Sequence, residues 1–264
     1  MTHPAPSPLS RVPAPCVHSL YPYDQVLALV DECRPRDVLD VGAGRGALVL
    51  SLLRRGYRVR ACDLAPEQFG VPGVEVLKAD LNRGQIPFPD GSFDLLTCCQ
   101  VMEHLENPHE LVREFWRVLR PGGSAILTVP NVLNIDARLR AFFTGVSSFH
   151  RDLGDRLGRV KPGEGLGHVN PIPVQELLWL GQAYGLPVTA VAADWIPRGA
   201  RLYAPLVAVI RLFTLVSSAR SRSRYLMDVA NSQPVLFGRR VVLRMTKSDH
   251  PPRPRIVPAR RSWG

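Results

Sequence analysis

Val38-Leu39-Asp40-Val41-Gly42-Ala43-Gly44-Arg45-Gly46 is the stretch on which the reading of this chain turns. An apolar run ends in an acid, passes three glycines at alternate positions and enters the apolar helical pattern Ala47-Leu48-Val49-Leu50-Ser51-Leu52-Leu53. A strand, a tight turn and a helix N-terminus in that order leave backbone N–H groups facing whatever lies above the turn. Glycines suit the place because the turn needs unusual backbone angles and a ligand must approach the main chain closely. Alone, the turn says only that something approaches the backbone.

Working outward, short apolar runs at 37–41, 57–63, 74–80, 93–99 and 124–130 read as strands, with helical patterns between several of them. That alternation predicts an α/β fold with a doubly wound parallel sheet. A lead-in helix at 23–33 carries Val26, Leu29, Val30 and Cys33 on one face and stops at Pro35. After the fifth strand the rhythm breaks for residues 131–170, then resumes with a helix at 174–184 and strands at 188–195 and 239–245. A second insertion lies at 196–236. The proline-rich residues 1–20 and the basic residues 248–264 read as disordered, leaving one domain over 21–247.

The second strand ends at Asp63, about 20 residues past the loop, where an acid can accept hydrogen bonds from both hydroxyls of a ribose. The spacing G-x-G-x-G with an acid ahead of it differs from the G-x-G-x-x-G that cradles a pyrophosphate. A nucleoside cofactor without phosphate fits better.

These segments resemble the class I S-adenosylmethionine-dependent methyltransferases, over roughly residues 36–130 with a looser echo to 247. Asp40, Gly42, Gly44 and Gly46 resemble the family's first motif, and Asp63 with Leu64 its ribose-binding acid. Lys78-Ala79-Asp80-Leu81 resembles the third-strand segment whose acid meets the adenine amino group, although Asp80 also suits a turn cap. Leu96-Thr97-Cys98-Cys99-Gln100 resembles the strand end beside the methionine moiety, and Leu119-Arg120-Pro121-Gly122-Gly123 the turn before strand five. The resemblance implies a Rossmann-like sheet of seven strands, mostly parallel with an antiparallel last strand. It also implies S-adenosyl-L-methionine as cofactor, with the two insertions rising on the cofactor rim as the acceptor side.

Methyl transfer needs alignment above all, and a general base only when the acceptor carries a proton. Glu103 and His104 follow the fourth strand and stand at the rim. The segment resembles the quinone-biosynthesis O-methyltransferases, in which two glutamates and a histidine are linked to a divalent metal. Here the first of those positions is Gln100, an amide in place of a charge a hard cation wants, so no metal is expected. His168, before the helix at 174–184, resembles an acceptor-facing histidine of family members acting on sugar, polyketide-like or lipid-linked acceptors. His150 is a weaker candidate in the same insertion.

Charge is unevenly placed, with 14 Lys and Arg against two acids in residues 196–264 and near balance before them. The apolar segment with Tyr203, Leu206, Val207, Val209, Ile210, Phe213 and Leu215 is flanked by Arg198, Arg201, Arg220, Arg222 and Arg224, which fits an anionic membrane surface, with a lid helix packed on the domain or a dimer contact as the plainer readings. No apolar run reaches the ~20 residues of a spanning helix, and no signal-peptide pattern opens the chain. Five cysteines without a C-x-x-C pair read as reduced thiols, and the whole as cytoplasmic, with contact at the inner membrane face an open extension. The leading function is methyl transfer to a hydroxyl of a sugar, quinone-like or lipid-linked small molecule. RNA or protein methylation through the basic C-terminal region and cofactor binding without catalysis stay open. Nucleic acid is the less favoured partner, because neither an Asn-Pro-Pro-Tyr tetrapeptide nor a Pro-Cys pair stands in the core.

Overall fold

The computed structural model describes residues 23–146, 168–194, 196 and 198–249. The lead-in expected at 1–20, His150, and residues 250–264 of the tail lie outside the described residues. The elements run α1 (Asp24–Cys33), β1 (Asp37–Val41), α2 (Ala47–Leu53), β2 (Arg58–Asp63), β3 (Val76–Lys78), β4 (Phe93–Cys99), α3 (Pro108–Val118) and β5 (Leu119–Pro130). They continue with α4 (Ile135–Thr144), α5 (Val174–Ala183), β6 (Val188–Ala193), α6 (Ala204–Val216), α7 (Ala219–Tyr225), α8 (Met227–Ala230), α9 (Gln233–Phe237) and β7 (Arg240–Thr246).

One seven-stranded sheet has the order β3-β2-β1-β4-β5-β7-β6. β7 runs antiparallel to both β5 and β6, and the remaining pairs are parallel, as the resemblance implies. Alternate side chains of each strand face opposite sides. Leu39, Val41, Leu96 and Cys98 pack with Leu111, Val112 and Phe115 of α3 and Leu177 and Leu180 of α5. Val38, Leu95, Ile126 and Val242 pack with Val26 and Val30 of α1 and Leu48, Val49 and Leu52 of α2. Helices therefore cover both faces, and the near-continuous apolar strands are those of a sheet buried on two sides.

Each helix starts where the sequence permits. In α3, Pro108 takes the first position, whose N–H has no helical partner, and the side chain of Asn107 accepts from Glu110 N–H. One expectation needs correction: 119–123 does not form a separate turn before the fifth strand. Leu119 already pairs with Phe93, and the register then shifts so that Ser124 pairs with Leu95, leaving Arg120 to Gly123 as a bulge inside β5. Gly122 takes φ +74° at that bend.

The cysteines behave as small core hydrophobes. Burial pushes the Cys62 thiol up to about 12 and that of Cys98 well above its ordinary value, so neither is a ready nucleophile.

The two insertions leave the same edge of the sheet, because β6 is parallel to β5. They meet in a small core where Ile135 and Leu139 of α4 pack with Val207 and Ile210 of α6 and Leu236 of α9. Asn131 fastens this junction: its amide donates to Val235 O at 2.7 Å and to Gly238 O at 2.8 Å, and its oxygen accepts from Leu133 N–H. The second insertion, read in sequence as one apolar segment, is a bent series of helices, α6 meeting α7 at 119°.

Candidate active site

The parallel strands end on one edge, and the cofactor residues expected from the sequence all lie along it. Asp40 stands one residue before the end of β1, in its buried part, and is 3% exposed. Its neighbour in the register is Thr97 of β4, whose hydroxyl donates to Asp40 Oδ1 at 2.6 Å. Burial pushes the Asp40 carboxyl up to about 7. The Thr97 hydrogen bond pulls the other way, and the charge of Asp63 adds to the rise. A carboxyl kept half-neutral in this way gains from a cation set beside it.

The loop after Asp40 bends as the glycines allow. Gly42, Gly44 and Gly46 have φ of +73°, +53° and +90°. A Cβ on Gly46 would stand 2.6 Å from Val71 Cγ2 and 2.8 Å from Phe69 Cε2, whereas one on Gly44 would meet nothing within 4 Å. The outer two glycines thus serve close packing, and the middle one leaves open space over the backbone. Gly46→Ala is expected to destabilise the fold by about 2 kcal/mol, through left-handed backbone plus overpacking, as a thermal melt will show.

Asp63 at the end of β2 reaches across to that loop. Its Oδ2 accepts from Gly44 N–H at 2.7 Å and its Oδ1 from Ala65 N–H at 2.9 Å. The acid therefore pins the loop, and each oxygen keeps another lone pair for a hydroxyl donor. Leu64 beside it is 61% exposed, an apolar surface at the rim. Asp80 caps its own turn: Oδ1 accepts from Asn82 N–H, and Arg83 lies 3.9 Å from Oδ2. Leu81 packs half-buried on the main core.

Gln100 follows β4 with φ +57°, a left-handed angle a residue with a side chain adopts at a cost. Its N–H donates to Thr128 O and its Nε2 to Thr128 Oγ1 at 3.3 Å, which hold the bend in place. The next residues form a short 3-10 turn, Met102–His104. Its Glu103 is 1% exposed, and among the described residues neither carboxylate oxygen has a hydrogen-bond partner in another residue. Burial pushes this carboxyl up to about 7, against the pull of its own N–H and of Arg240.

His168 joins this turn from 64 residues away. The N–H groups of Val169 and Asn170 donate to Glu103 O at 2.8 and 3.0 Å, and the Asn170 amide donates to Leu105 O. The imidazoles of His104 and His168 then meet edge to face, 4.7 Å between centroids. One ligand atom from each of Glu103, His104 and His168 lies within 4.8 Å of the other two. One carboxylate and two imidazoles suit a divalent transition ion better than magnesium. The expectation of no metal weighed Gln100 alone and not this nitrogen donor. Thr97, Thr128 and Asn170 were also missed. Thr97 could have been found by aligning β1 with β4, but Asn170 leaves no local signal.

Residues 39–127, which hold the loop and all four strand ends from β1 to β4, match the family model described as a methyltransferase domain. Over those residues the chain is similar to a class I methyltransferase domain. The cofactor this similarity implies is S-adenosyl-L-methionine, and the site fits that group through open space above Gly44, an acid aimed at the loop and a buried carboxyl that favours a cation.

Among the relatives of this chain is the ubiquinone biosynthesis O-methyltransferase of Xanthomonas oryzae pv. oryzae, 36% identical over 125 residues, 44% of this chain and 52% of that one. The enzyme of the same description from Sodalis glossinidius is 29% identical over 160 residues, 56% of this chain and 64% of that one. The chain thus matches about half the length of the X. oryzae relative and under two thirds of the Sodalis one. A methyltransferase structure from Archaeoglobus fulgidus superposes with a TM-score of 0.52 at 16% identity, over 85% of this chain and 94% of that one, which bears on the fold.

Proposed function

We propose that the methyltransferase transfers a methyl group from S-adenosylmethionine to a hydroxyl of a quinone-like small molecule. The observation that carries this reading is the Glu103, His104 and His168 cluster at the rim, beside the end of β4. When bound, S-adenosylmethionine supplies an electrophilic methyl group. Asp40 would face its ammonium, and Asp63 and Leu64 its ribose side; Asp80, Leu81 and Gln100 would complete the contacts.

The chain's own residues then handle the acceptor. His104, exposed on the turn, takes the hydroxyl proton as the new oxygen–carbon bond forms, a role for which imidazole suits neutral solution. Glu103, buried beside it, favours the protonated imidazole, and His168 positions the ring. The relatives described as O-methyltransferases support oxygen as the atom methylated. Sugar and lipid-linked acceptors belong to the same reading as less favoured classes. The donor set itself favours a second version, in which Glu103, His104 and His168 hold a divalent ion that lowers the hydroxyl's pKa.

Transfer of labelled methyl to an alkyl-substituted catechol, with and without chelator, tests both. Label in an aryl ether is expected. Asp63→Ala should weaken cofactor binding about tenfold or more, since a charged hydrogen-bond acceptor and the loop's anchor go together. No cofactor binding at millimolar concentration, or binding indifferent to Asp63→Ala, would overturn the reading.

A further inference from the structure

The helix α6 is built inside out. Its one hydroxyl-bearing residue, Thr214, is buried, donating to Ile210 O at 2.9 Å and accepting from the Asn231 amide at 2.8 Å. The face at Val207, Ile210 and Thr214 turns toward the protein. The stripe Val209, Leu212, Phe213 and Val216, at helical spacing, is 61% to 71% exposed. Helix α4, packed against it, also ends in two exposed aromatics, Phe142 and Phe143. Large apolar surface of this kind marks a binding face.

Charge decides what covers it. From Ile196 to Met227 the chain has no acid; Arg220 and Arg224 of α7 are exposed just past the stripe, and Arg211 is exposed on α6 two residues from both Val209 and Phe213, off the stripe's line. Among the described residues, Arg222 of α7 forms an ion pair, with Asp228 at 2.8 Å. A second copy of the chain would set two such arginine rows against one another, whereas an anionic surface would neutralise them. Long arginine side chains can rest on apolar surface while their guanidinium groups stay with phosphates. Among the described residues no single helix is long and apolar enough to cross a membrane, and the 119° bend after α6 turns the basic α7 away from its axis.

We infer that α6 lies flat in the interface of an anionic phospholipid bilayer, its Val209–Val216 stripe among the acyl chains and the arginines of α7 at the head groups. Both insertions leave the sheet edge that carries the site, so docking would present that edge to material dissolved in the bilayer.

Flotation of the full chain with vesicles of phosphatidylcholine, with and without phosphatidylglycerol, tests this. Binding is expected to the anionic vesicles only and to weaken as salt rises. The double substitution Leu212→Asp, Phe213→Asp should lower partitioning about a hundredfold, from the loss of two buried apolar side chains. Arg211→Gln, Arg220→Gln and Arg224→Gln together should lower it about tenfold or more and flatten the salt dependence. Neither set touches the cofactor residues, so unchanged S-adenosylmethionine affinity serves as the folding control. The inference is overturned if the wild-type chain stays in solution with anionic vesicles, or if both variants bind as it does. A wild-type dimer that Leu212→Asp, Phe213→Asp makes monomeric would overturn it in favour of a second copy.

Discussion

Asp40→Asn is expected to make the ligand-free protein more stable at pH 8 and at the same time a poorer binder of its cofactor. The ionised carboxyl is disfavoured in the fold by burial, so its folded value stands near 7 against 3.8 in the open chain. The folded state therefore holds a proton that the unfolded chain releases first. Stability present below about pH 4 is lost as pH rises and levels off above about 7. Asparagine has the shape of the neutral acid, can still accept from Thr97 and carries no such loss. The gap between the two melting curves should open from about pH 4 and reach roughly 2–4 kcal/mol by pH 8.

Cofactor binding runs the other way. A cation beside Asp40 favours its ionised form, so wild-type affinity should rise as pH climbs toward about 7, with release of a proton, and Asp40→Asn should lose both the affinity and the slope. Calorimetry in buffers of different ionisation enthalpy reads the proton directly. Parallel pH profiles for the two proteins would show that Asp40 does not face the cofactor's charge.

The second large effect is expected at His104. Its replacement by alanine should leave S-adenosylmethionine affinity unchanged and lower turnover about 10²- to 10⁴-fold, the usual worth of a positioned base. Chelation separates the two ways in which the cluster could work. If His104 is a base, a chelator leaves the wild-type rate alone; if Glu103, His104 and His168 hold an ion, the chelator stops turnover and a transition ion restores it while magnesium does not. Unchanged turnover in His104→Ala would remove the residue from the chemistry.

The parts of this molecule written locally were legible. The strands at 37–41 and 93–99 coincide with β1 and β4, and α2 begins and ends where its apolar pattern does, because burial on both faces leaves one continuous hydrophobic run per element. β5 was read five residues short. Pro121-Gly122-Gly123 is turn chemistry in any local window, and only pairing of Leu119 with Phe93 carries the strand across it. At the site, residue types were readable but their company was not. His168 meets Glu103 and His104 through main-chain bonds from Val169 and Asn170, contacts with no trace in spacing. Asp63 likewise reads as a ribose acid, while its grip on Gly44 N–H depends on the loop's folded path.

Asn131 carries a consequence for engineering. One amide holds the carbonyls of Val235 and Gly238 at the end of the far insertion, and its backbone N–H holds Arg239 O, so the start of one insertion is sewn to the end of the other. Gly238 fits there only because a Cβ would stand 2.5 Å from Ala193 Cβ and from Pro234 O. A chimera that borrows either lid from another enzyme inherits half a seam, with stranded carbonyls on the other side. Acceptor preference should therefore transplant only when 131–170 and 196–239 travel as one cassette.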